Sequence, residues 1–267
     1  MMLQTNKFIF SYHGTFNLGD AIQTYALARL LPQPLVCMYR HRMHPIKGDE
    51  VIVANGFLCD IPHQSVNTLF AGVYIGGNHS ENLAWIRQSR FPVGARDPFT
   101  QEYLKKNNIE SSMVGCATLT LPRYDGPRKG VLHIDDGRNC PMTHEFPALN
   151  WACQWQMAIG SIEMMKRASL VVTKRLHVAL PCLAMGTPVY IEGGTEDEVM
   201  SPQRFSLLHH LGFKFNEPVT MDVSGIASGY INFLSSNLGV KVEPDDFPEF
   251  VSPRGIIAHG HIPLEKK

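Results

Sequence analysis

The segment from Leu170 to Val189 constrains the fold more strongly than any other part of the chain. It opens with a short β-branched run that has the composition of a buried strand and stops at Thr173. An apolar stretch of helical length follows, and Gly186 and Pro188 end it just before the next strand-like run. A strand, a helix and a second strand in succession predict a parallel sheet with the helix packed on one of its faces.

The same alternation continues along the chain and predicts an α/β protein with two Rossmann-like lobes and mostly parallel sheets. A stretch rich in Gly, Pro and charge at residues 123–130 separates the two halves. We therefore expect an N-terminal lobe at residues 1–125, a C-terminal lobe at 126–242 and an extended tail at 243–267, with the active site in the cleft between the lobes. Strands are predicted at residues 7–14, 34–40, 71–78, 91–96, 111–122, 130–137, 170–173 and 187–192, and helices at residues 20–31, 81–88, 97–109, 148–168, 177–185, 202–213 and 224–240.

The composition argues against several classes of protein. Of the 267 residues, 44% are hydrophobic, which supports a sizeable buried core. The 24 Lys and Arg residues equal the 24 Asp and Glu residues, so bulk charge does not favour a nucleic-acid partner. No apolar run reaches the ~18–20 residues of a membrane span, and no secretory signal precedes the first strand. We expect a cytoplasmic protein, and a peripheral contact with a membrane stays open.

Cysteine and histidine spacing predicts no metal centre. The six cysteines form no CxxC pair, and the 12 histidines form no HExxH pair. The cysteines stand in apolar contexts and are expected to be reduced and buried. His259 and His261 are separated by one residue near the C-terminus, where a solvated tail is favoured over a surface metal site.

The first candidate site follows the first predicted strand. Gly14 and Gly19 permit tight turns of the backbone, and Asp20 is predicted to cap the helix that follows. The N–H groups at the start of that helix suit an anion or a sugar hydroxyl, although the glycine spacing matches neither a dinucleotide loop nor a Walker A loop. Asn17 and Asp20 are therefore candidates for substrate binding, and an ordinary capped turn explains them equally well.

Further candidates stand where predicted strands end or a predicted helix begins. Gly76 and Gly77 follow a strand and let a ligand approach the backbone closely. Arg96 stands between a strand and the helix that Asp97 is predicted to cap, where it either binds a ligand or pairs with Asp97. Arg204 stands near the start of a helix and either reaches the cleft or is solvated there.

The strongest candidates stand where the strand at residues 170–173 gives way to a helix. Arg175 and His177 are two residues apart, so their side chains point to the same side of an extended segment. Arginine grips phosphate and carboxylate groups, and histidine transfers protons near neutral pH. Arg175 is therefore the expected anion-binding residue and His177 the expected general acid.

Taken in chain order, four stretches resemble the polysaccharide pyruvyltransferase family. The resemblance spans about residues 8–212, most of the chain. The stretches are Asn17-Leu-Gly-Asp20-Ala-Ile-Gln23-Thr24, Gly76-Gly77, Ala95-Arg96-Asp97 with Val114-Gly-Cys-Ala-Thr-Leu-Thr-Leu121, and Thr173-Lys-Arg175-Leu-His177 through Gly186-Thr-Pro188-Val.

The resemblance implies a GT-B-like bilobal fold and the transfer of a pyruvyl group from phosphoenolpyruvate to two hydroxyls of a sugar. The implied acceptor is a cell-surface saccharide or its lipid-linked precursor, and phosphoenolpyruvate is the donor with no further cofactor. Arg175 and His177 are implied as donor-site residues, with Arg96 as a partner for the donor's anionic groups. Asn17 and Asp20 are implied to line the cleft opposite them. Leu176, between Arg175 and His177, is also expected to bind substrate.

Two other functions stay open beside this one. The first is a GT-B-type glycosyltransferase, in which Arg175 would hold the diphosphate of a nucleotide sugar. The second is a non-catalytic relative that binds a saccharide. The chemistry fits the pyruvyl donor independently, because phosphoenolpyruvate is a small polyanion and two or three arginine forks suit such a ligand.

Overall fold

A computed structural model of the protein describes residues 7–11, 17–31, 35–39, 51–58, 65–75, 80–135, 151–192, 202–242, 244, 249–251 and 257–259. These residues form two β-sheets with helices packed against them. All the strand pairs that they form are parallel, except one pair at the edge of the larger sheet. The predicted α/β class with parallel sheets is confirmed.

The larger sheet is formed mainly by the first half of the chain. Its strands lie side by side in the order β2, β1, β3, β4, β5, β6, and the central pair, β3 and β4, is buried almost throughout. Such burial is typical of parallel strands that are covered on both faces. These strands are β1 (Lys7–Ser11), β2 (Leu35–Tyr39), β3 (Val51–Leu58), β4 (Thr68–Ile75), β5 (Val93–Ala95) and β6 (Ser111–Met113).

The smaller sheet is formed by the second half of the chain. It has three parallel strands in sequence order, β7 (Val131–Ile134), β8 (Leu170–Thr173) and β9 (Val189–Ile191). The strand–helix–strand succession predicted from residue 170 onwards is therefore present, with the helix contacting both strands that flank it.

The helices occupy most of the predicted positions. Within the described ranges no helix has the length and apolar character needed to cross a bilayer. Two short 3-10 helices lie at Ala117–Thr120 and Pro202–Phe205. The α-helices are α1 (Leu18–Ala28), α2 (Ser80–Gln88), α3 (Pro98–Lys106), α4 (Trp151–Arg167), α5 (Leu176–Met185), α6 (Ser206–His210) and α7 (Ser224–Leu238).

One prediction of secondary structure is wrong. The strand predicted at residues 111–122 ends at Met113, because Gly115 adopts a left-handed φ of 85° and the chain then turns into a 3-10 helix. The tail, predicted to be extended, contributes β10 (Glu249–Val251) and β11 (Ile257–His259). β10 pairs in parallel with β2 and in antiparallel with β11, so the tail extends the larger sheet.

One helix joins the two halves. Every residue of α1 is buried, and the helix contacts β1 and β3 of the larger sheet as well as α4 and α5 of the second half. The ring of Tyr25 on α1 meets the ring of Trp155 on α4 edge to face, with 5.2 Å between centroids. A single apolar core therefore continues from one half into the other.

Helix α7 crosses in the opposite direction, from the second half to the larger sheet. The hydroxyl of Tyr230, which is fully buried, donates a hydrogen bond of 2.9 Å to the carbonyl of Ala71 in β4. The side chain of Phe233 lies against Gly94 in β5. Helices of each half thus pack on the other half. The division into lobes at residues 1–125 and 126–242 stays a prediction.

The contact of α7 with β4 generates a prediction about stability. Gly72 has a φ of 73°, and a Cβ atom there would lie 2.5 Å from the carbonyl oxygen of Gly115 and 2.8 Å from the ring of Tyr230. We expect Gly72→Ala to lower the free energy of unfolding by roughly 2–5 kcal/mol in urea denaturation, through backbone strain and steric overlap.

A matched control is Gly160→Ala in the exposed middle of α4, where an added Cβ atom meets nothing within 4 Å. That variant is expected to raise the free energy of unfolding by about 0.5–1 kcal/mol, because alanine favours the helix. Equal effects of the two substitutions would contradict this account of the close approach at Gly72.

Candidate functional site

The start of α1 supplies the first group of site residues. Asn17, and not Asp20, is the N-cap: its backbone is extended, and its side-chain oxygen accepts a hydrogen bond of 2.9 Å from the N–H of Gly19. The predicted cap was wrong because asparagine caps a helix as well as aspartate does, and it comes first in the chain. Asp20 instead lies in the first turn of the helix, where its side chain is largely buried.

Gln23 lies one turn further along α1 and joins this helix to the second half. Its amide nitrogen Nε2 lies 3.4 Å from Oδ1 of Asp20 and 3.4 Å from Nδ1 of His177 on α5. At the other end of the amide, Oε1 faces the thiol of Cys116 at 3.9 Å. Sequence reasoning missed Gln23 as a site residue, although it stands three positions after Asp20 and therefore on the same face of the helix.

The thiol of Cys116 is part of this buried network. The hydroxyl of Thr118 donates to its sulfur at 3.2 Å, and the sulfur faces Gln23. Burial raises the pKa of the Cys116 thiol, which keeps the group protonated and able to donate at neutral pH. The sequence-based expectation of a buried, reduced cysteine is confirmed at this position.

Arg96 follows β5 and is held rigidly, with 2% of its surface exposed. Its Nε donates a hydrogen bond of 3.0 Å to Oδ2 of Asp97, and its Nη2 lies 2.9 Å from the same oxygen. The guanidinium stacks over the ring of Tyr74, 4.2 Å from the centroid. Asp97 caps α3 as predicted, since its Oδ1 accepts from the N–H of Thr100 at 2.9 Å and Pro98 is the first helical residue.

Arg175 stands at the N-cap position of α5 with an extended backbone. Its Nε donates a hydrogen bond of 3.1 Å to Oδ2 of Asp135, which follows β7 and has a left-handed φ of 44°. The two side chains are each about four-fifths buried. Sequence reasoning missed Asp135, because the two partners are far apart in the chain and meet only where the ends of β7 and β8 lie side by side.

His177 lies in the first turn of α5, next to the fully buried Leu176. The prediction that Arg175 and His177 share one extended segment is wrong, because the helix begins between them at Leu176. The backbone of His177 is itself non-helical, with φ −84° and ψ 17°, and 9% of the residue is exposed. The imidazole therefore stands at the N-terminal end of a helix rather than on a strand.

Arg204 brings the separate pieces into one electrostatic cluster. The pKa of its guanidinium is lowered by partial burial and then by the positive charges of Arg175 and Arg96, while Asp20 and Tyr74 oppose this effect. Arg204 therefore feels cations from both halves of the chain and the carboxylate at the start of α1. Ser206 ties the segment that carries Arg204 to α3, because its hydroxyl accepts a hydrogen bond of 3.1 Å from the backbone N–H of Phe99.

The cluster contains three arginines and three aspartates. Asp97 and Asp135 each hold one arginine by a hydrogen-bonded ion pair, which orients the guanidinium. A guanidinium has five N–H donors, so a carboxylate occupies only part of its hydrogen-bonding capacity. The arrangement is able to bind a small multiply charged anion through several arginine forks.

Two of the predicted site residues, Gly76 and Gly77, lie outside the described residues. Among the described residues no three His, Cys, Asp or Glu side chains are grouped so as to hold a metal ion. The roles assigned to the predicted site residues stay predictions. The charges of Asp20, Arg96 and Arg175 all act on the pKa of Arg204, and Gln23 contacts both His177 and Asp20.

Comparisons with known proteins identify the family. The sequence model of the family described as polysaccharide pyruvyl transferase matches residues 17–192 of this chain. The chain belongs to this family, which is one of transferases and implies a saccharide acceptor. No curated protein matches significantly.

A similarity in structure concerns the fold alone. A functionally uncharacterised protein of Klebsiella pneumoniae subsp. pneumoniae superposes with a TM-score of 0.53 at 14% sequence identity. The similar region covers 82% of this chain and 94% of the Klebsiella chain. At this level of identity the likeness supports the α/β architecture and carries nothing about activity.

The buried ion pair of Arg96 and Asp97 generates a prediction. Asp97→Asn keeps a good helix cap but removes the charge that balances a guanidinium with 2% exposure. We expect it to lower the free energy of unfolding by about 3–5 kcal/mol in urea denaturation.

The control for this substitution is Asp125→Asn, which removes the carboxylate of an exposed Arg–Asp pair with Arg123. An exposed pair contributes about 0–1 kcal/mol, so this variant is expected to unfold almost like the unchanged protein. A loss at Asp97 no larger than the loss at Asp125 would show that the buried pair does not hold Arg96 in place.

Proposed function

We propose that this member of the polysaccharide pyruvyl transferase family moves a pyruvyl group from phosphoenolpyruvate to two hydroxyls of a saccharide and forms a cyclic ketal. The observation that supports the proposal is the cluster of Arg96, Arg175 and Arg204, contributed by both halves of the chain and linked by their charges. The proposed acceptor is a cell-surface saccharide or its lipid-linked precursor, handled in the cytoplasm.

The chemistry of the donor fits this cluster. Phosphoenolpyruvate carries a carboxylate and a phosphate, and arginine forks bind both groups with charge-assisted hydrogen bonds. The ion pairs with Asp97 and Asp135 hold two of the guanidinium groups before any ligand arrives. Such preorganisation lowers the entropy cost of binding, because the side chains are already ordered.

The proposed reaction has a simple balance of atoms. The terminal methylene carbon of phosphoenolpyruvate gains one hydrogen and becomes a methyl group. The oxygen-bearing carbon next to it forms bonds to two acceptor oxygens and loses its bond to the phosphate oxygen. Of the two hydrogens that the acceptor hydroxyls lose, one is balanced by the hydrogen that the methyl group gains, and the other leaves with the phosphate. The protein is left to bind both substrates, orient them and move or hold protons.

We propose His177 as the catalytic residue. An imidazole at this position acts either as a general acid or as a hydrogen-bond donor to an oxygen of the donor, and both roles speed the reaction. His177→Ala is therefore expected to lower kcat for phosphate release by about 10²–10⁴-fold. Full activity in this variant would exclude a catalytic role for the imidazole.

Other residues are proposed to bind substrate without taking part in proton transfer. Asn17 and Asp20, at the start of α1, are proposed to bind the acceptor through its hydroxyls. Leu176, Gly76 and Gly77 are proposed to form the apolar and backbone walls of the site. The proposed setting is a cleft between two lobes in a GT-B-like arrangement, where ligands commonly bind.

An assay of phosphate release tests the donor assignment. The protein is incubated with phosphoenolpyruvate and a panel of β-galactosides and amino sugars, and inorganic phosphate is followed over time. Arg204→Gln is expected to raise KM for phosphoenolpyruvate about 10–100-fold, as expected for the loss of a charged hydrogen-bond donor. The matched control is Arg87→Gln, an exposed arginine on α2 that donates to the carbonyl of Asn107 at 2.9 Å, and it should leave KM unchanged.

A thermal-shift screen separates this proposal from its main rival. Stabilisation by phosphoenolpyruvate, and not by UDP or GDP, is the expected result, since a ligand that binds the folded state stabilises it by an amount that grows with the ratio of its concentration to its Kd. The opposite pattern would identify a glycosyltransferase that uses a nucleotide sugar. Binding of a saccharide without any turnover would identify a non-catalytic relative.

A further inference from the structure

We propose that Gln23 is a positioning residue that holds His177 as a neutral imidazole with its hydrogen on Nε2. The proposal concerns the state of the ring in the protein before any ligand binds, and only its consequence for activity rests on the proposed function. Gln23 is fully buried on α1, and His177 belongs to α5, so the contact joins the two halves of the chain.

The orientation of the Gln23 amide follows from its neighbours. One end of the amide lies 3.4 Å from the backbone carbonyl of Gly19 and 3.4 Å from Oδ1 of Asp20. A carbonyl oxygen only accepts, and an ionised carboxylate only accepts, so the end that faces them is the NH2 group. The opposite end faces the Cys116 thiol at 3.9 Å, where an oxygen acceptor is needed for the S–H.

The state of the histidine follows from the orientation of the amide. The same NH2 group lies 3.4 Å from Nδ1 of His177. A nitrogen that faces an N–H donor must present its lone pair, which leaves Nε2 to carry the hydrogen of the neutral ring. The contacts are long for hydrogen bonds, so the polarity of the groups, rather than the strength of any one bond, sets the state of the ring.

The same contact opposes protonation of the ring. A hydrogen on Nδ1 would point at the NH2 group of Gln23, and turning the amide over would bring its oxygen against the carbonyl of Gly19 and the carboxylate of Asp20. The Cys116 thiol would then face an NH2 group, with no acceptor for its S–H at that end. Each of these changes places like groups together in a buried network, where mismatched polar groups are costly.

A hydrogen on Nε2 selects between the two roles proposed for His177. A neutral ring with its hydrogen on Nε2 is a poor source of protons but a good hydrogen-bond donor to an anionic oxygen. The imidazole then binds and orients the donor, and it stabilises negative charge on the phosphate as the carbon–oxygen bond breaks. It takes no part in a covalent step, and the hydrogen gained by the methylene carbon is one of the two that the acceptor hydroxyls give up.

NMR of protein with 15N-labelled histidine tests the inference directly, without any substrate. Correlations between ring protons and ring nitrogens distinguish a protonated nitrogen from one that carries a lone pair. His177→Ala assigns the signal among the 12 histidines of the chain. The measurement is made at pH ~7.5, about one unit above the ordinary pKa of histidine. The expected result is a protonated Nε2 and an unprotonated Nδ1.

Two substitutions at position 23 test whether Gln23 sets this state. Gln23→Glu places a carboxylate beside Nδ1 and is expected to move the hydrogen onto that nitrogen. Gln23→Met keeps the length of the side chain but removes its N–H groups, and it is expected to give the averaged signal of exchanging tautomers. The second variant is informative if the first one folds poorly beside Asp20.

The matched control is Gln101→Glu on α3. Gln101 is a half-buried glutamine that donates to the carbonyl of Ser111 at 3.1 Å, and it is expected to leave the His177 signal unchanged. The proposal is overturned if Nδ1 of His177 is protonated in the unchanged protein, or if both substitutions at Gln23 leave the signal where it was.

Binding of phosphoenolpyruvate separates a failure of this proposal from a failure of the proposed function. In the Gln23→Glu variant, Nε2 of His177 is expected to carry a lone pair instead of a hydrogen. Binding of phosphoenolpyruvate is then expected to weaken at least about tenfold, as for a lost hydrogen bond to a charged group. If the unchanged protein does not bind phosphoenolpyruvate, the donor assignment fails while the NMR result on Gln23 stands. If the donor binds but Nδ1 is protonated, the donor assignment survives and the positioning role of Gln23 fails.

Discussion

Complete burial of α1 is the constraint on which the arrangement of this molecule depends. The helix contacts the larger sheet through β1 and β3, and it contacts α4 and α5 of the second half, so it has no face left for water. A helix that is buried all round fixes both its neighbours, because apolar packing tolerates little displacement. Its first two turns therefore present Asp20 and Gln23 at a defined position opposite the start of α5.

A second feature is the balance of charge where the two halves meet. Among the described residues, the three aspartates of the cluster formally balance its three arginines. Two of the aspartates orient an arginine each, and the buried Arg96 is further held over the ring of Tyr74. Ordered guanidinium groups recognise the shape of an anion as well as its charge, which suits a donor that carries a carboxylate and a phosphate close together.

Much of the fold and part of the candidate site are predictable from the sequence. Local signals identified the strand–helix–strand unit from residue 170, the cap at Asp97 and the positions of Arg96 and Arg175 at the ends of strands. The contact of Asp135 with Arg175 and the contact of Gln23 with His177 were not predictable, because the partners are 40 and 154 residues apart in the chain, respectively. The wrong cap at Asp20 and the wrong strand at residues 111–122 reflect local alternatives of similar energy, decided by Asn17 and by the left-handed Gly115.

The central claim is that arginines from both halves bind one and the same anion. A double-mutant cycle on phosphoenolpyruvate binding tests it most directly, with Arg96→Gln, Arg175→Gln and the double variant measured by calorimetry. If both guanidinium groups hold the same ligand, the losses in binding free energy are not additive, and the coupling is about 0.5–3 kcal/mol. Losses that add within about 0.3–0.5 kcal/mol, or a loss from only one of the two single variants, would contradict a shared donor site.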